Sequence, residues 1–362
     1  MQFKGSAGLI LPGGGALAAY QVGVLKAIAE LVDSEALPFD SISGVSAGAI
    51  NAAALAQDAG NFIDAVAHLE RLWTELSTTD VFTLDYGLMR GFMAKTNKPQ
   101  SFLNIAPLTE LLQRELGDDK LVKIQLKNGH LKGLAVTASN YSTGEATTFF
   151  ESSIESLYWH DRRRDSVRTC IGVPHLLASA ALPLLFPPQR IDNEYFVDGS
   201  LRMNEPLRPV IKMGADRILV IGVRNETLPL GDEGEYQPGV AEIAGFTLDS
   251  LFAENLNTDI ARMKQINNIL NHTNWKQGRE NNLKQIKVMV IRPSQDLRVI
   301  AARFAVKLPR GIRLFLRTIG GWGHEWRLPS FLLFEGVFAR ELINLGYYDG
   351  LKQQPKMNAF FS

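Results

Sequence analysis

The stretch from Phe39 to Ala54 constrains this chain more than any other. A short apolar run, Phe39 to Ser43, ends in Gly44-Val45-Ser46-Ala47-Gly48, and small helix-forming residues follow. That is the sequence form of a nucleophile elbow, in which a strand turns sharply into a helix with one serine at the apex. Gly44 and Gly48 flank the turn because the backbone is tight there and a Cβ would collide with a neighbouring element. Ala47, Ala49 and Ala52 keep the first helical turns thin, so that the helix packs close to a sheet. Ser46 is therefore the candidate nucleophile. The bland alternative is an ordinary glycine-rich turn between strand and helix.

A chain of 362 residues is long enough to bury a large core as one big domain or two smaller ones. Acidic and basic residues number 38 each, so nothing in the global charge argues for nucleic acid as a partner. The single cysteine, Cys170, makes no internal disulfide and no cysteine-based metal framework. No metal or cofactor is expected. Met1 to Ser6 does not read as a signal peptide, and no run of about 18 apolar residues suggests a membrane span. The expected location is the cytoplasm, with room for peripheral contact at the inner face of a membrane.

The chain opens on the apolar run Ala7–Leu11, a buried strand, then Pro12 and the loop Gly13-Gly14-Gly15. Leu17, Tyr20, Val24, Leu25, Ile28 and Leu31 recur at helical spacing up to about Val32. The elbow strand and its helix come next, so the fold class is α/β with parallel strands and helical crossovers. Gly13-x-Gly15-x-x-Ala18 has the shape of a dinucleotide fingerprint, but that site needs an acid ending the next strand, which ends at the elbow instead. The competing reading is an oxyanion-binding loop, in which the amides of Gly13, Gly14 and Gly15, with that of Ala47, point at developing negative charge. A purely structural turn is the third option.

Residues 60–116 read as mainly helical, with Phe62, Val66, Leu69, Leu72 and Leu76 on one face and a short helix from Pro107 to Leu116. Asp80 to Lys98 is apolar without a clear period, which suits either a lid or core packing. Leu134–Asn140 and Glu145–Phe150 read as strands around a turn, and Arg162-Arg163-Arg164 as a solvated face. Ser166 to Ala181 reads as one helix, with His175 packed among apolar neighbours. Tyr195–Asp198 is a strand ending in Asp198-Gly199, Asn204 to Met213 leads through a helix, and Arg217–Val223 is a buried strand. A polar loop over 225–239, a long amphipathic helix from Ile243 to about Leu270, and a strand at Gln285–Ile291 follow.

Glycine loop, elbow and Asp-Gly occur in that order, and together they resemble the patatin-like phospholipase family. The blocks are Gly13–Gly15 with Tyr20–Leu25, Gly44–Gly48, Asp198-Gly199, and the linking Ala178–Pro183 through Phe186–Pro188. The similarity spans roughly residues 7–213. It implies a three-layer α/β/α sandwich with a mostly parallel central sheet, a catalytic core over 7–224, and a Ser46–Asp198 dyad. It also implies hydrolysis of lipid acyl esters, with a phospholipid or lysophospholipid as substrate. Two positions depart from the family pattern: Leu17 stands where a cation is usual, and Ser200 follows Asp198-Gly199.

On this reading Ser46 attacks an ester carbonyl, Asp198 takes its proton, and an acyl-enzyme forms and is hydrolysed. A triad completed by His175 or the late His324 is the rival arrangement. An acyltransferase, or a non-catalytic lipid- or partner-binding protein on the same fold, is the rival function. Residues 225–362 form a C-terminal extension packed on the core, helical and basic-amphipathic over 298–327. There Arg298, Arg303, Lys307, Arg310, Arg313, Arg317 and Arg327 alternate with bulky apolar residues. Such a segment suits an anionic membrane surface or a packed helix pair, and a homo-oligomer stays open. Leu332 to Leu345 reads as a last helix, and the tail after Gly350 as loose.

Overall fold

Apolar residues alternate across the two faces of a central sheet in the computed structural model, which describes residues 5–32, 34–84, 101–159, 164–224, 239–272, 284–323 and 325–362. The apolar segment at 85–98, Arg162 and Arg163, the polar loop at 225–238 and His324 lie outside the described residues.

The strands are β1 (Ala7–Leu11), β2 (Ser41–Val45), a small pair β3 (Thr83–Leu84) and β4 (Leu103–Asn104), β5 (Gly133–Asn140), β6 (Ala146–Ser152), β7 (Arg164–Arg168), β8 (Gln189–Ile191), β9 (Glu194–Asp198), β10 (Arg217–Ile221) and β11 (Lys287–Ile291). The main sheet runs β11-β10-β1-β2-β5-β6-β7, with β9 on β5 and β8 on β9. From β11 to β5 every pairing is parallel, whereas β6 and β9 both run antiparallel to β5. β1 and β10 are buried along their whole length, which explains the apolar runs Leu9–Leu11 and Ile218–Ile221. Leu9, Leu11, Leu219 and Ile221 face one helical layer, while Ile10, Ile218 and Val220 face another built on Val210, Leu256 and Ile260. The result is the expected three-layer α/β/α sandwich.

The first layer holds α1 (Ala19–Leu31), α2 (Ala47–Gln57), α3 (Phe62–Glu75) and the late helix Gly336–Lys352. Two glycines let α1 and that late helix touch backbone to backbone. A Cβ on Gly23 would overlap the Ile343 carbonyl, and one on Gly346 would overlap the Tyr20 carbonyl. The Tyr20 hydroxyl donates to Asp349 Oδ2 at 3.2 Å across the same seam. On the opposite face the helix Val240–His272 supplies Leu256 and Ile260.

The structure corrects three sequence expectations. Ser166–Ala181 is not one helix: β7 ends at Arg168, pairs with β6, and only Val173–Ser179 is helical. Polar Asp165, Ser166 and Arg168 mark that edge strand, and the apolar run after Ile171 masks the break. The tail is not loose, because Gln354–Phe361 is a helix that buries Met357, Phe360 and Phe361. Phe361 meets Phe39 edge-on with ring centroids 5.6 Å apart. Within 298–327, Arg298 and Arg327 are not surface cations. Arg298 is 8% exposed and pairs with Asp296 at 2.6 Å, and Arg327 pairs with Glu325 and with Asp249.

Candidate active site

The sheet register brings Ser46 and Asp198 together. β2 pairs with β5 up to Val45 opposite Thr137. β9 pairs with the next residues of β5, beginning with Asp198 opposite Ala138. The far edge of β5 is occupied by β6 at those same residues, Thr147 opposite Ala138 and Ala146 opposite Ser139. So β2 and β9 share one edge of β5 and meet tip to tip. Ser46 follows the tip of β2, and Asp198 is the tip of β9. Gly199 is needed at this junction, since a Cβ there would overlap the Thr137 carbonyl and crowd Val45 at 3.1 Å.

Ser46 sits at φ 55°, ψ −131°, a conformation rare for any residue with a Cβ. Surrounding contacts hold it there. Its N–H donates to Ser179 Oγ at 2.9 Å, and Ser179 Oγ donates in turn to the Thr137 carbonyl at 2.7 Å. A Cβ on Gly48 would overlap the Leu11 carbonyl, and one on Gly44 the Gly48 carbonyl. Both glycines are therefore obligatory for the close strand-to-helix approach.

Asp198 is fully buried. Its Oδ1 accepts the Ser200 N–H at 2.9 Å, and its Oδ2 is buried without a hydrogen-bond partner. Burial pushes this carboxyl up to about 6, against the opposing pull of the Ser46 hydroxyl and of Ser200. The Ser46 hydroxyl and Ser200 act through hydrogen bonding that favours the charged carboxylate, and burial outweighs them. Catalytic hydrogen bonds are often long before substrate arrives. The backbone of Asp198 is anchored separately: its N–H donates to the Ala181 carbonyl at 2.9 Å, and its carbonyl accepts Ser139 Oγ at 2.9 Å.

The glycine loop lies against the elbow. A Cβ on Gly13 would stand 3.0 Å from Ser46 Cβ, one on Gly14 would press Val223 at 2.6 Å, and Gly15 has φ +54° against the Phe331 carbonyl. Among the described residues, no acceptor takes the amides of Gly13 and Gly14. Ala47, at the start of α2, lines the same space. Leu17 is 2% exposed and packs in the core, so it brings no charge to the glycine loop.

A buried polar chain supports the loop from behind. Trp73 Nε1 donates to Asn51 Oδ1 at 2.8 Å, and Asn51 Nδ2 donates to Gln21 Oε1 at 2.9 Å. Gln21 Nε2 then donates to the Pro12 carbonyl at 2.9 Å, one residue before the glycines. The sequence reading missed this chain. Its only signal is a polar Asn inside an alanine run and a polar Gln inside an apolar helix.

In front of Ser46 opens an apolar pocket. Its walls come from α3 (Leu72, Trp73), from the helix Ala106–Leu116 (Leu111, Leu112) and from the late residues Phe331 and Phe334. Among the described residues, none that lines it is charged. The contributions after residue 327 carry no local sequence signal, because they are ordinary apolar residues of a short helix and of the segment that follows it. His175 has other company: its ring packs on Phe149 at 4.7 Å and its Nδ1 accepts the Gly172 N–H at 3.1 Å. Burial pushes its pKa down, so it packs as a neutral ring.

This geometry can be set beside known proteins. A family model described as patatin-like phospholipase matches residues 9–211, more than half of the chain. The chain belongs to the patatin-like phospholipase family. Among solved structures, this patatin-like chain matches VipD from Legionella pneumophila at 13% identity and TM-score 0.35, covering 97% of this chain and 67% of that one. It matches human GIVD cytosolic phospholipase A2 at 12% identity and TM-score 0.47, covering 99% of this chain and 60% of that one. None of the curated proteins compared matches it.

Proposed function

We propose that this patatin-like protein is a serine esterase that hydrolyses acyl esters of phospholipids or lysophospholipids. The observation that carries the reading is the meeting of three features at one point. A strained Ser46, a buried carboxylate oxygen on Asp198 with no partner, and an uncharged pocket share the same junction.

The acyl chain enters the pocket, which offers aliphatic and aromatic contact and no group needing water. Ser46 Oγ attacks the ester carbonyl while its proton passes to Asp198 Oδ2. A carboxylate is a weak base in water, and burial raises its basicity toward neutral pH. The tetrahedral oxyanion rests on the amides of Gly13, Gly14 and Gly15 with that of Ala47. One such donor contributes roughly 3 kcal/mol to lowering the barrier. The Ser46 amide is not among them, because Ser179 takes it. Collapse of the intermediate expels the alcohol with the proton from Asp198 and leaves an acyl-Ser46, which water then hydrolyses by the same route.

A fluorophosphonate probe tests this directly. It should label the wild-type protein on Ser46 and leave Ser46→Ala unlabelled, and the same variant should lose all release of fatty acid from lysophospholipid. Fatty-acid release by folded Ser46→Ala at the wild-type rate would refute the reading.

A further inference from the structure

Removing Arg298 and Arg327 from the surface leaves a more definite pattern. From Val299 to Gly323 the chain has five cations, Arg303, Lys307, Arg310, Arg313 and Arg317, and no acid. Glu325, next along, is taken by Arg298 and Arg327. Among the described residues none of the five makes an ion pair.

Helical spacing sorts Arg310, Arg313 and Arg317 onto one side of their helix. In the helix Arg310–Thr318, Ile312 and Leu316 point into the core. Arg310, Arg313, Leu314 and Arg317 follow at the complementary spacing, and Leu314 is 64% exposed. Val299, four residues before Arg303, and Val306, beside Lys307, are exposed as well. Bulky apolar side chains standing in water among unopposed cations are the composition of an interfacial surface.

The face also adjoins the candidate active site. Phe315 packs on the exposed Phe102 with centroids 5.4 Å apart. The Phe102 N–H donates to the Leu184 carbonyl at 2.9 Å. Leu184 is 72% exposed at φ +68°, and its loop neighbours Leu182 and Phe186 line the pocket in front of Ser46. An apolar path of Phe315, Phe102 and Leu184 thus forms a ridge that runs from the helix of the basic face toward the pocket.

We propose that this face docks on an anionic lipid bilayer, with the arginines and lysine at the headgroups and the ridge in the acyl boundary, so that lipid passes from bilayer to pocket without crossing water. The proposal rests on the lipid-esterase reading for its purpose, not for its evidence, which is charge complementarity and the continuity of the ridge.

Cosedimentation with vesicles tests it on the full-length protein. Wild type should bind vesicles of phosphatidylcholine with 30% phosphatidylserine and leave pure phosphatidylcholine largely unbound, and about 0.5 M salt should release it. Each neutralised cation should weaken binding about fivefold, so Arg303→Gln/Lys307→Gln/Arg310→Gln/Arg317→Gln should lose a hundredfold or more. All four are exposed, and an unchanged melting temperature confirms that the variant is folded. Leu184→Asp should weaken binding with the charges intact. Equal binding to both vesicle types, or wild-type binding by the quadruple variant, would overturn the docking face, as would self-association of the protein without vesicle binding. Ser46→Ala should bind like wild type, so that a failure of the esterase reading shows in fatty-acid release alone.

Discussion

Asp198 concentrates the chemistry of the site in one carboxyl group. Its ordinary pKa is 3.8 and burial lifts it to about 6. Between those values the native protein holds a proton that the unfolded chain releases. Stability from this group is therefore full below about pH 4 and is lost as pH rises through about 6. Above that, the buried charge costs on the order of 3 kcal/mol. Asp198→Asn keeps the acceptor for the Ser200 amide and removes the charge. It should melt above wild type at pH 8 and close to it at pH 4, followed by calorimetry. The same substitution removes the proposed base, so turnover of an acyl ester should fall by roughly a thousandfold or more. For wild type, kcat/KM should rise with pH through about 6, because only the deprotonated carboxylate accepts the serine proton. A stabilised yet fully active Asp198→Asn would show that the buried charge serves no catalytic end.

At the scale of elements, the elbow and the strand tips tolerate no added atoms. The Gly48 and Gly199 positions each place a carbonyl oxygen where a Cβ would stand, and carbonyls in a sheet do not move aside. Gly48→Ala and Gly199→Ala should each destabilise the protein by more than 3 kcal/mol or prevent its accumulation, read by urea unfolding. Much of this was legible in the residues, because an elbow and an Asp-Gly carry local signatures. What stayed hidden was pairing. Nothing local in Thr137 or Ala138 says that β5 changes partner between them, from β2 to β9. The misread helix at Ser166–Ala181 has the same cause: β7 is a strand because β6 offers it an edge, not because its polar residues demand one. Arg298 and Arg327 looked like surface cations because one of their acids, Asp249, sits on a helix far away in sequence.

For the molecule as a whole, the C-terminal segment is part of the architecture that shapes the site. β11 extends the sheet, Gly336–Lys352 seals α1, and Phe331 and Phe334 wall the pocket. Met357, Phe360 and Phe361 close the end against Phe39. Their spacing in a short polar tail gave little to read, since three apolar residues in a final turn look alike whether packed or frayed. Ending the chain at Gln353 should remove roughly 5–9 kcal/mol of apolar burial, comparable to the whole stability of a domain. The truncated protein should accumulate poorly or unfold at a markedly lower temperature in a thermal scan.

The tip-to-tip junction on β5 also says something about the order in which the molecule is made. Ser46 and its support Ser179 are 133 residues apart, and Asp198 lies further along still. Closing such long loops is slow compared with forming the local βα unit around the elbow. Loop closure therefore favours a turn around Ser46 that forms before Asp198 reaches it. On the proposed dyad, a half-built chain would carry a serine without its base, so that latency during synthesis would follow from the topology.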